Sequence, residues 1–387
     1  MNKTKKTVVM GMSGGVDSSV AAYLLKQQGF NVIGLFMINW QDTSGSSHCS
    51  AEEDFEDVKR VCNVLQIPYY SVNYEKEYRE RVFSYFLEQY KKGRTPNPDV
   101  LCNKEIKFGP FLEQAEKLGA TNIATGHYAK KIEINGKYHL VKAADLNKDQ
   151  SYFLHQLNQK QLEKILFPLA DITKPEVRKI ATELGFSTAK KKDSTGICFI
   201  GERNFKNFLK DYFPIQKGDI ITQSGEVVGR HDGLMFYTIG QRRGLGIGGI
   251  KGGAGGSWFV LGKDLKSNKL IVSQGETHAL YSNSCECENF NWIPERPKLT
   301  TFDCSAKFRY RQPDQRVTVN LTTPAIEQNS NTTQNKKTKF KIGEVFINFH
   351  KPQRAITPGQ YAVLYDENGL CLGGGEIMET IETQQLM

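Results

Sequence analysis

The stretch VVMGMSGGVDSSVAAYLL limits the fold of this chain more than any other. Apolar Thr7–Met12 reads as a buried strand and Ser18–Gln28 as a helix closed by Gly29. Between them lies the link Ser13-Gly14-Gly15-Val16-Asp17. Two adjacent glycines let the backbone bend and approach an anion with no Cβ in the way. The N–H groups of the turn and first helical residues then point at phosphate oxygens, and the helix dipole adds its positive end. Ser13 and Ser18 add hydroxyl donors, while Asp17 stands either to hold Mg²⁺ or to cap the helix. The alternative is a tight βα turn without a ligand. No Gly-Lys-Ser/Thr triplet occurs, so this is not a Walker A loop, and a G-x-G-x-x-G fingerprint is also missing from it.

The same alternation continues. Asn31–Ile38 reads as a strand, Glu52–Leu65 as a helix and Ile67–Val72 as a short strand. Tyr74–Tyr90 and Phe108–Leu118 read as helices and Asn122–Thr125 as a strand. Pro175–Leu184 is a helix with Pro175 at its first position and Gly185 past its end. This order implies a parallel sheet with helices on both faces, whose ligands bind at the carboxyl ends of the strands. After about Phe213 the character changes to short alternating runs separated by Gly, Asn, Asp and Pro. Those runs are Gly218–Thr222, Trp258–Leu261, Lys269–Val272, Val317–Leu321, Lys339–Phe349 and Tyr361–Tyr365. They suggest two small barrels or sandwiches. The expected fold class is α/β, a doubly wound parallel sheet followed by two small β domains, with boundaries at 1–212, 213–280 and 281–387. The polar stretch Glu327–Lys337 is expected to be a long exposed hairpin loop.

Lys and Arg number 51 against 42 Asp and Glu, a net charge of +9. That surplus suits either a polyanionic partner such as RNA or a plain solvated basic surface. Residues Gly240 to Gly256 include nine glycines together with Arg242, Arg243 and Lys251. They read either as a basic loop that orders on RNA or as an exposed linker. No apolar run reaches the ~18 residues of a membrane helix, so no membrane partner is expected. Ser13, Gly14, Gly15 and Asp17 interrupt the first apolar run too early for a secretory signal, and the cytoplasm is the expected location.

Eight cysteines are scattered along the chain without a CxxC pair, so no structural metal site is expected. Two of them have unusual surroundings. In GRTPNPDVLCNKEIKFG, Pro96 and Pro98 stiffen the chain ahead of Asp99 and Cys102. Lys104 and Lys107 favour a thiolate at Cys102. Cys198 follows a lysine run in KKKDSTGICFIGERNF. For each, the plain alternative is an inert buried thiol.

The loop SGGVDS resembles that of the PP-loop ATP pyrophosphatases, which cleave between the α and β phosphates. Taken in order, SGGVDSS, TPNPDVLCNKEIKFG, TGHYA, KDQSYFL, STGICFIGERNF and YTIGQRRGLGIGG resemble the tRNA-specific 2-thiouridylase family. The likeness runs from Gly11 to at least Arg309-Tyr310 with no departure at a motif position. It implies a PP-loop fold of the adenine nucleotide alpha hydrolase-like kind. It also implies a sulfurtransferase acting on the wobble uridine, position 34, of tRNAs decoding Lys, Glu and Gln. ATP with Mg²⁺ would be a substrate, with no permanently bound cofactor. The nucleotide would be met by Gly11, Met12, Ser13, Gly14, Gly15, Val16, Asp17 and Ser18, by Met37 at the end of the second strand, and by Gly126.

By the same resemblance the uridine O2 is adenylated, which makes it a good leaving group. Cys198 carries a persulfide delivered by a sulfur donor, a cysteine desulfurase or sulfur-relay protein. Cys102 is the second thiol and forms a disulfide with Cys198 as sulfur leaves, or else releases hydrosulfide. Asp99 acts as general acid/base or orients the base. Asn97, Pro98 and Asp99 meet the extruded target base. His127, Lys148, Asp149 and Gln150 approach the anticodon stem-loop of the tRNA, and Arg309, Tyr310 and Gln360 reach it from the C-terminal barrel. Read without the resemblance, Met37 is equally an ordinary strand residue, His127 a strand cap and Lys148 a solvated lysine.

Overall fold

The computed structural model describes residues 5–40, 50–193, 205–248, 256–322 and 345–382. The chain opens with β1 (Thr7–Met12), α1 (Val16–Gln27), β2 (Asn31–Ile38), α2 (Ser50–Leu65) and β3 (Tyr69–Asn73). The helix expected over Tyr74–Tyr90 is α3 (Glu75–Tyr78), a π-helical stretch (Arg79–Phe83) and α4 (Ser84–Lys91) in unbroken succession. After a short extended segment come α5 (Pro98–Cys102), a second π-helical stretch (Asn103–Lys107), α6 (Pro110–Lys117) and β4 (Asn122–Ala124). A hairpin, β5 (Lys130–Ile134) and β6 (Lys137–Val141), precedes α7 (Gln159–Lys164), β7 (Ile165–Leu166), α8 (Lys174–Glu183) and α9 (Phe205–Lys210).

Five of these strands form one parallel sheet in the order β3-β2-β1-β4-β7. Alternate residues of β1 serve its two faces, as the pleat requires. Val8, Met10 and Met12 pack with Val20, Leu25, Val61 and Val177 from α1, α2 and α8. Val9, with Ile123 of β4, packs with Phe86, Val100, Ile106 and Phe111 from the helices between β3 and β4. Burying a Val, Leu or Phe is worth roughly 1.5–3 kcal/mol, so these two faces, more than helix propensity, hold the layers together. The chain winds outward from β1 to β3 and then crosses back to β4. β1 and β4 therefore flank the point where winding reverses, and the crevice at their carboxyl ends is where such sheets bind ligands.

The all-β half contains two units, as expected. β8 (Gly218–Thr222), β9 (Val227–His231), β10 (Trp258–Asp264) and β11 (Lys269–Gln274) form a sheet in the order β10-β11-β8-β9. Its apolar face centres on Ile220, Val260, Leu270 and Val272. β12 (Tyr281–Trp292), β13 (Thr301–Lys307), β14 (Gln315–Leu321), β15 (Val345–Arg354), β16 (Tyr361–Tyr365) and β17 (Cys371–Glu382) close into a barrel.

The two longest barrel strands, β12 and β17, escape a reading by alternation. Their pairing shifts register at Ser282/Ser284, Glu286/Cys287 and Glu288/Asn291, and each bulge resets which face a side chain takes. The β5–β6 hairpin lies where no strand is expected, although Asn135-Gly136 is a strong turn signal and both residues have positive φ. Of the expected strand Lys339–Phe349, residues 345–349 belong to β15, while its start and the Glu327–Lys337 stretch lie outside the described residues. Among the described residues no helix is long and apolar enough to cross a membrane.

Candidate functional site

The Ser13–Ser18 loop joins the end of β1 to α1 at the reversal point of the sheet. Gly14 has φ +73, and a Cβ there would stand 2.5 Å from the Asp54 carbonyl oxygen. Only glycine fits on both counts. The loop is held open by its own hydroxyls. The Ser18 hydroxyl donates to the Gly15 carbonyl (3.0 Å) and accepts from the Ser13 amide (3.2 Å), and the Ser19 hydroxyl donates to the same carbonyl (2.9 Å). Gly15 serves as N-cap without a side-chain cap hydrogen bond. Gly126 follows β4 and lies so close to that mouth that a Cβ would meet the Ser18 amide nitrogen at 2.8 Å. Met37 is one residue beyond Phe36, the β2 partner of Met12, and packs partly buried against the larger core. Gly11, Met12, Val16 and Met37 are thus all strand-end or helix-start neighbours of one loop.

A network of charges stands at this mouth, and reading the sequence did not foresee it. The Lys174 ammonium donates to both oxygens of Asp17, at 2.6 and 2.8 Å, and lies 2.8 Å from Asp193 Oδ1. Asp193 also receives Lys148 Nζ at 2.5 Å and Arg178 Nη2 at 3.0 Å. Burial works against the Asp193 charge, but the hydrogen bonds from Lys148 and Lys174 outweigh it and hold its pKa down to about 2. The Tyr128 hydroxyl donates to Asp17 at 2.8 Å; burial and the Asp17 charge keep that phenol protonated. Lys174 opens α8 far along the chain from the loop, and no spacing rule connects it to Asp17. The only available signal was the string KKKDSTGIC, whose aspartate is Asp193. Within its lysine run, Lys191 is committed elsewhere, to Asp54 (2.7 Å) and Asp57 (2.6 Å).

The Gly93–Gly109 segment follows α4 and packs Val100, Cys102 and Ile106 on the face of the sheet opposite α1. The Asn97 side chain accepts from the Val100 amide at 3.4 Å and so caps α5, while Pro98 occupies its first turn, buried. Cys102 ends α5 with 1% of its surface exposed, packed in the core with Val100 and Ile106. The π-helical stretch begins at the next residue and carries Lys107. Lys104 is half-exposed and lies 4.0 Å from Glu105. Burial raises the pKa of the Asp99 carboxyl, with the Lys107 charge opposing it. Burial and the same Lys107 charge keep His127 well below the usual histidine range, hence neutral, with Nδ1 2.8 Å from the Thr125 hydroxyl. Lys107 thus acts on both Asp99 of α5 and His127 beyond β4. Cys198 lies outside the described residues; the described chain before it ends at Asp193, five residues earlier.

The remaining expected contacts divide by placement. Lys148 is bonded to Asp193, and its carbonyl accepts from the Tyr310 hydroxyl at 3.3 Å, linking barrel to network. Tyr310 stacks obliquely on Phe153, ring centres 4.5 Å apart. Arg309 is directed at the Ala355 carbonyl and the Thr357 hydroxyl. Asp149 points inward: its carboxylate is fully buried and accepts from Ala143 N, Ser151 N and the Ser151 hydroxyl. Gln150 accepts from Tyr128 N at 3.1 Å, and Gln360 donates to the Thr95 carbonyl at 2.8 Å. Among the described residues no cluster of three or more His, Cys, Asp or Glu side chains stands ready for a metal.

Residues 6–202 match the family model described as the tRNA methyl transferase HUP domain, and residues 206–274 the corresponding PRC-barrel domain. Residues 326–377 match the aminomethyltransferase beta-barrel domain. Full-length relatives are similar throughout. The tRNA-specific 2-thiouridylase MnmA 1 of Geobacillus kaustophilus is 57% identical over 379 residues, covering 98% of this chain and 97% of its own. The tRNA-specific 2-thiouridylase MnmA of Alkaliphilus oremlandii is 55% identical over 385 residues, 99% and 100% of the two chains. That of Shouchella clausii is 57% identical over 379 residues, 97% and 98%.

Proposed function

This chain belongs to the tRNA-specific 2-thiouridylase family, and from that premise we propose that it replaces the 2-oxygen of a tRNA uridine, the wobble uridine at position 34, with sulfur at the expense of ATP. The C2 oxygen of uridine is a poor leaving group and must be activated first. The loop Gly11–Ser18, with Met37 and Gly126, holds ATP so that the uridine O2 attacks the α-phosphorus and pyrophosphate departs. Backbone amides at the start of α1 and the Lys174 ammonium stabilise the charge that builds on the phosphates. Mg²⁺ enters with ATP and screens the pyrophosphate; the oxygen donors Asp17 and Asp193 are the carboxylates at the loop that suit it.

Sulfur transfer follows. A persulfide on Cys198, loaded by a cysteine desulfurase or a sulfur-relay protein, presents its terminal sulfur to C2, and AMP leaves with the former carbonyl oxygen. The Cys102 thiolate attacks the inner sulfur, which breaks the S–S bond, leaves the 2-thiouridine and forms a Cys102–Cys198 disulfide. A dithiol reductant then restores both thiols. The alternative order, in which Cys102 first releases hydrosulfide that attacks C2, uses the same groups. Asp99, whose pKa burial raises against the opposing Lys107 charge, serves the base as acid or orienting group, beside Asn97 and Pro98. His127, Lys148, Gln150, Arg309, Tyr310 and Gln360 face the anticodon stem-loop, with Asp149 bracing the loop of Lys148 and Gln150 from inside. Residues 1–212 perform the chemistry, while 213–280 and 281–387 present the tRNA in the cytoplasm.

The observation that carries this reading is the Asp17–Lys174–Asp193 network. It ties the phosphate loop to the residue that leads into the Cys198 string and, through Lys148, to Tyr310 of the barrel. The decisive test incubates the protein with ATP, unmodified tRNA and a persulfide donor. AMP, pyrophosphate and 2-thiouridine should appear together and only with tRNA. ATP consumption driven by a small amino acid in place of tRNA would instead make it a PP-loop synthetase.

A further inference from the structure

The three residues that lead into the Asn97–Cys102 segment are held by the β half of the molecule. Thr95 engages neighbours there through each of its polar groups. Its amide donates to the Pro358 carbonyl (2.9 Å), its carbonyl accepts from Gln360 Nε2 (2.8 Å), and its hydroxyl lies 3.4 Å from that of Thr238. Gly359 packs so closely that a Cβ on it would sit 3.0 Å from Arg94 Cβ and from the Thr95 backbone. On either side of Thr95 stand two charged groups that the proposed reaction does not use. Lys263 of β10 reaches the Gly93 carbonyl at 2.9 Å, and burial lowers its pKa to about 8. Glu376 of β17, 4% exposed, accepts from the Tyr85 hydroxyl of α4 at 2.5 Å, and its other oxygen lies 3.8 Å from Arg94. Arg94 also donates to Gln89 Oε1 at 3.2 Å.

Burying an ammonium and a carboxylate between domains costs stability unless each is paired, and apolar residues would serve plain adhesion better. What charges supply at such a place is a defined register. We propose that Lys263 and Glu376 are positioning residues: they grip Gly93–Thr95 from two β domains and so fix where α5 presents Asp99 and Cys102. The proposal rests on the assignment of those two residues to the thiolation chemistry. Because Gln360 and Thr238 hold the same strap, a tRNA seated on the β domains sets the position of the reacting loop from outside the parallel sheet.

The test compares the full-length wild-type protein with Lys263→Met, Glu376→Gln and Lys263→Arg. It measures tRNA-dependent pyrophosphate release, tRNA affinity, thermal melting, and amide hydrogen exchange across residues 94–102. The expected result for Lys263→Met and Glu376→Gln is a kcat lower by about 10²-fold, the scale of a misplacement near 1 Å. Exchange across 94–102 should be faster, tRNA affinity and melting unchanged, and Lys263→Arg should recover most of the rate. An unchanged kcat overturns the proposal whatever the exchange shows, as does a defect confined to the KM for tRNA. If Lys263→Met fails to fold, Lys263→Gln, which retains an N–H donor, replaces it with the same two outcomes. Wild-type protein that releases no pyrophosphate with tRNA refutes the thiolation reading instead. Exchange across 94–102 then decides the grip by itself, and unchanged exchange in the variants overturns it.

Discussion

The Lys174 ammonium bridges both oxygens of Asp17, at 2.6 and 2.8 Å, in the first turn of α1. A cation at a helix N-terminus is unfavourable by itself, since both carry positive potential. Asp17 and Asp193 make it tolerable there, and an arriving triphosphate competes with them for it. Replacing Lys174 with Met should therefore lower tRNA-dependent pyrophosphate release by about 10²-fold or more, the scale of losing one electrostatic stabiliser. tRNA affinity should stay unchanged. A variant that keeps its rate would remove Lys174 from the phosphate site.

Gly14 lies within the loop against Asp54, and Gly126 packs on the Ser18 amide. Gly14→Ala must hold a left-handed φ, costing about 1–2 kcal/mol, and also displace the Asp54 backbone. Gly126→Ala pushes on the Ser18 amide, one of the groups proposed to face phosphate. The first variant should melt lower. The second should bind ATP at least about tenfold more weakly, equivalent to 1.4 kcal/mol, by nucleotide titration. Wild-type affinity in Gly126→Ala would place the phosphates elsewhere.

Acid should weaken the fold through His155. This residue is fully buried, its Nδ1 is 2.7 Å from the Tyr152 carbonyl, and its Nε2 has no partner. Burial takes its pKa down to about 4. Between pH 6.5 and 4 the unfolded chain binds a proton that the folded one refuses, so stability falls as pH drops, by up to about 3 kcal/mol. His127 adds a change of the same sign. Urea unfolding at pH 7 and pH 5 should show a smaller difference for His155→Phe than for wild type; equal differences would mean His155 does not titrate in this window.

The two cysteines should separate activation from transfer. Cys198→Ser is expected to keep tRNA-dependent pyrophosphate release and make no 2-thiouridine. Cys102→Ser should stop turnover. After one turnover without reductant, mass spectrometry should find the wild-type peptides of Cys102 and Cys198 joined by a reducible link. Loss of pyrophosphate release in Cys198→Ser would give that residue a role before sulfur transfer.

Much of this arrangement was legible in the residues. Two glycines between a strand and a helix specify a βα turn that only a ligand or a tight bend explains, and β1, β2, β8 and β16 fall where alternation and turn residues place them. What escaped has a common physical cause. Lys174, Asp193 and Tyr128 matter through contacts far apart in sequence, which local periodicity does not encode. β12 and β17 lose their alternation at bulges. Asp149, expected with Lys148 and Gln150 to approach the anticodon stem-loop, is instead drawn inward by the amides of Ala143 and Ser151. From spacing, the charge of Lys107 falls to Cys102; in three dimensions it also acts on Asp99 and His127, second to burial at each.

The barrel brings the ends of β14 and β15 together, with Leu321 opposite Val345. Whatever joins two ends already fastened side by side can change length cheaply, since halving or doubling a closed loop alters its entropy by only about 0.6 kcal/mol. That junction is consequently the natural place to graft an affinity handle or a fluorophore.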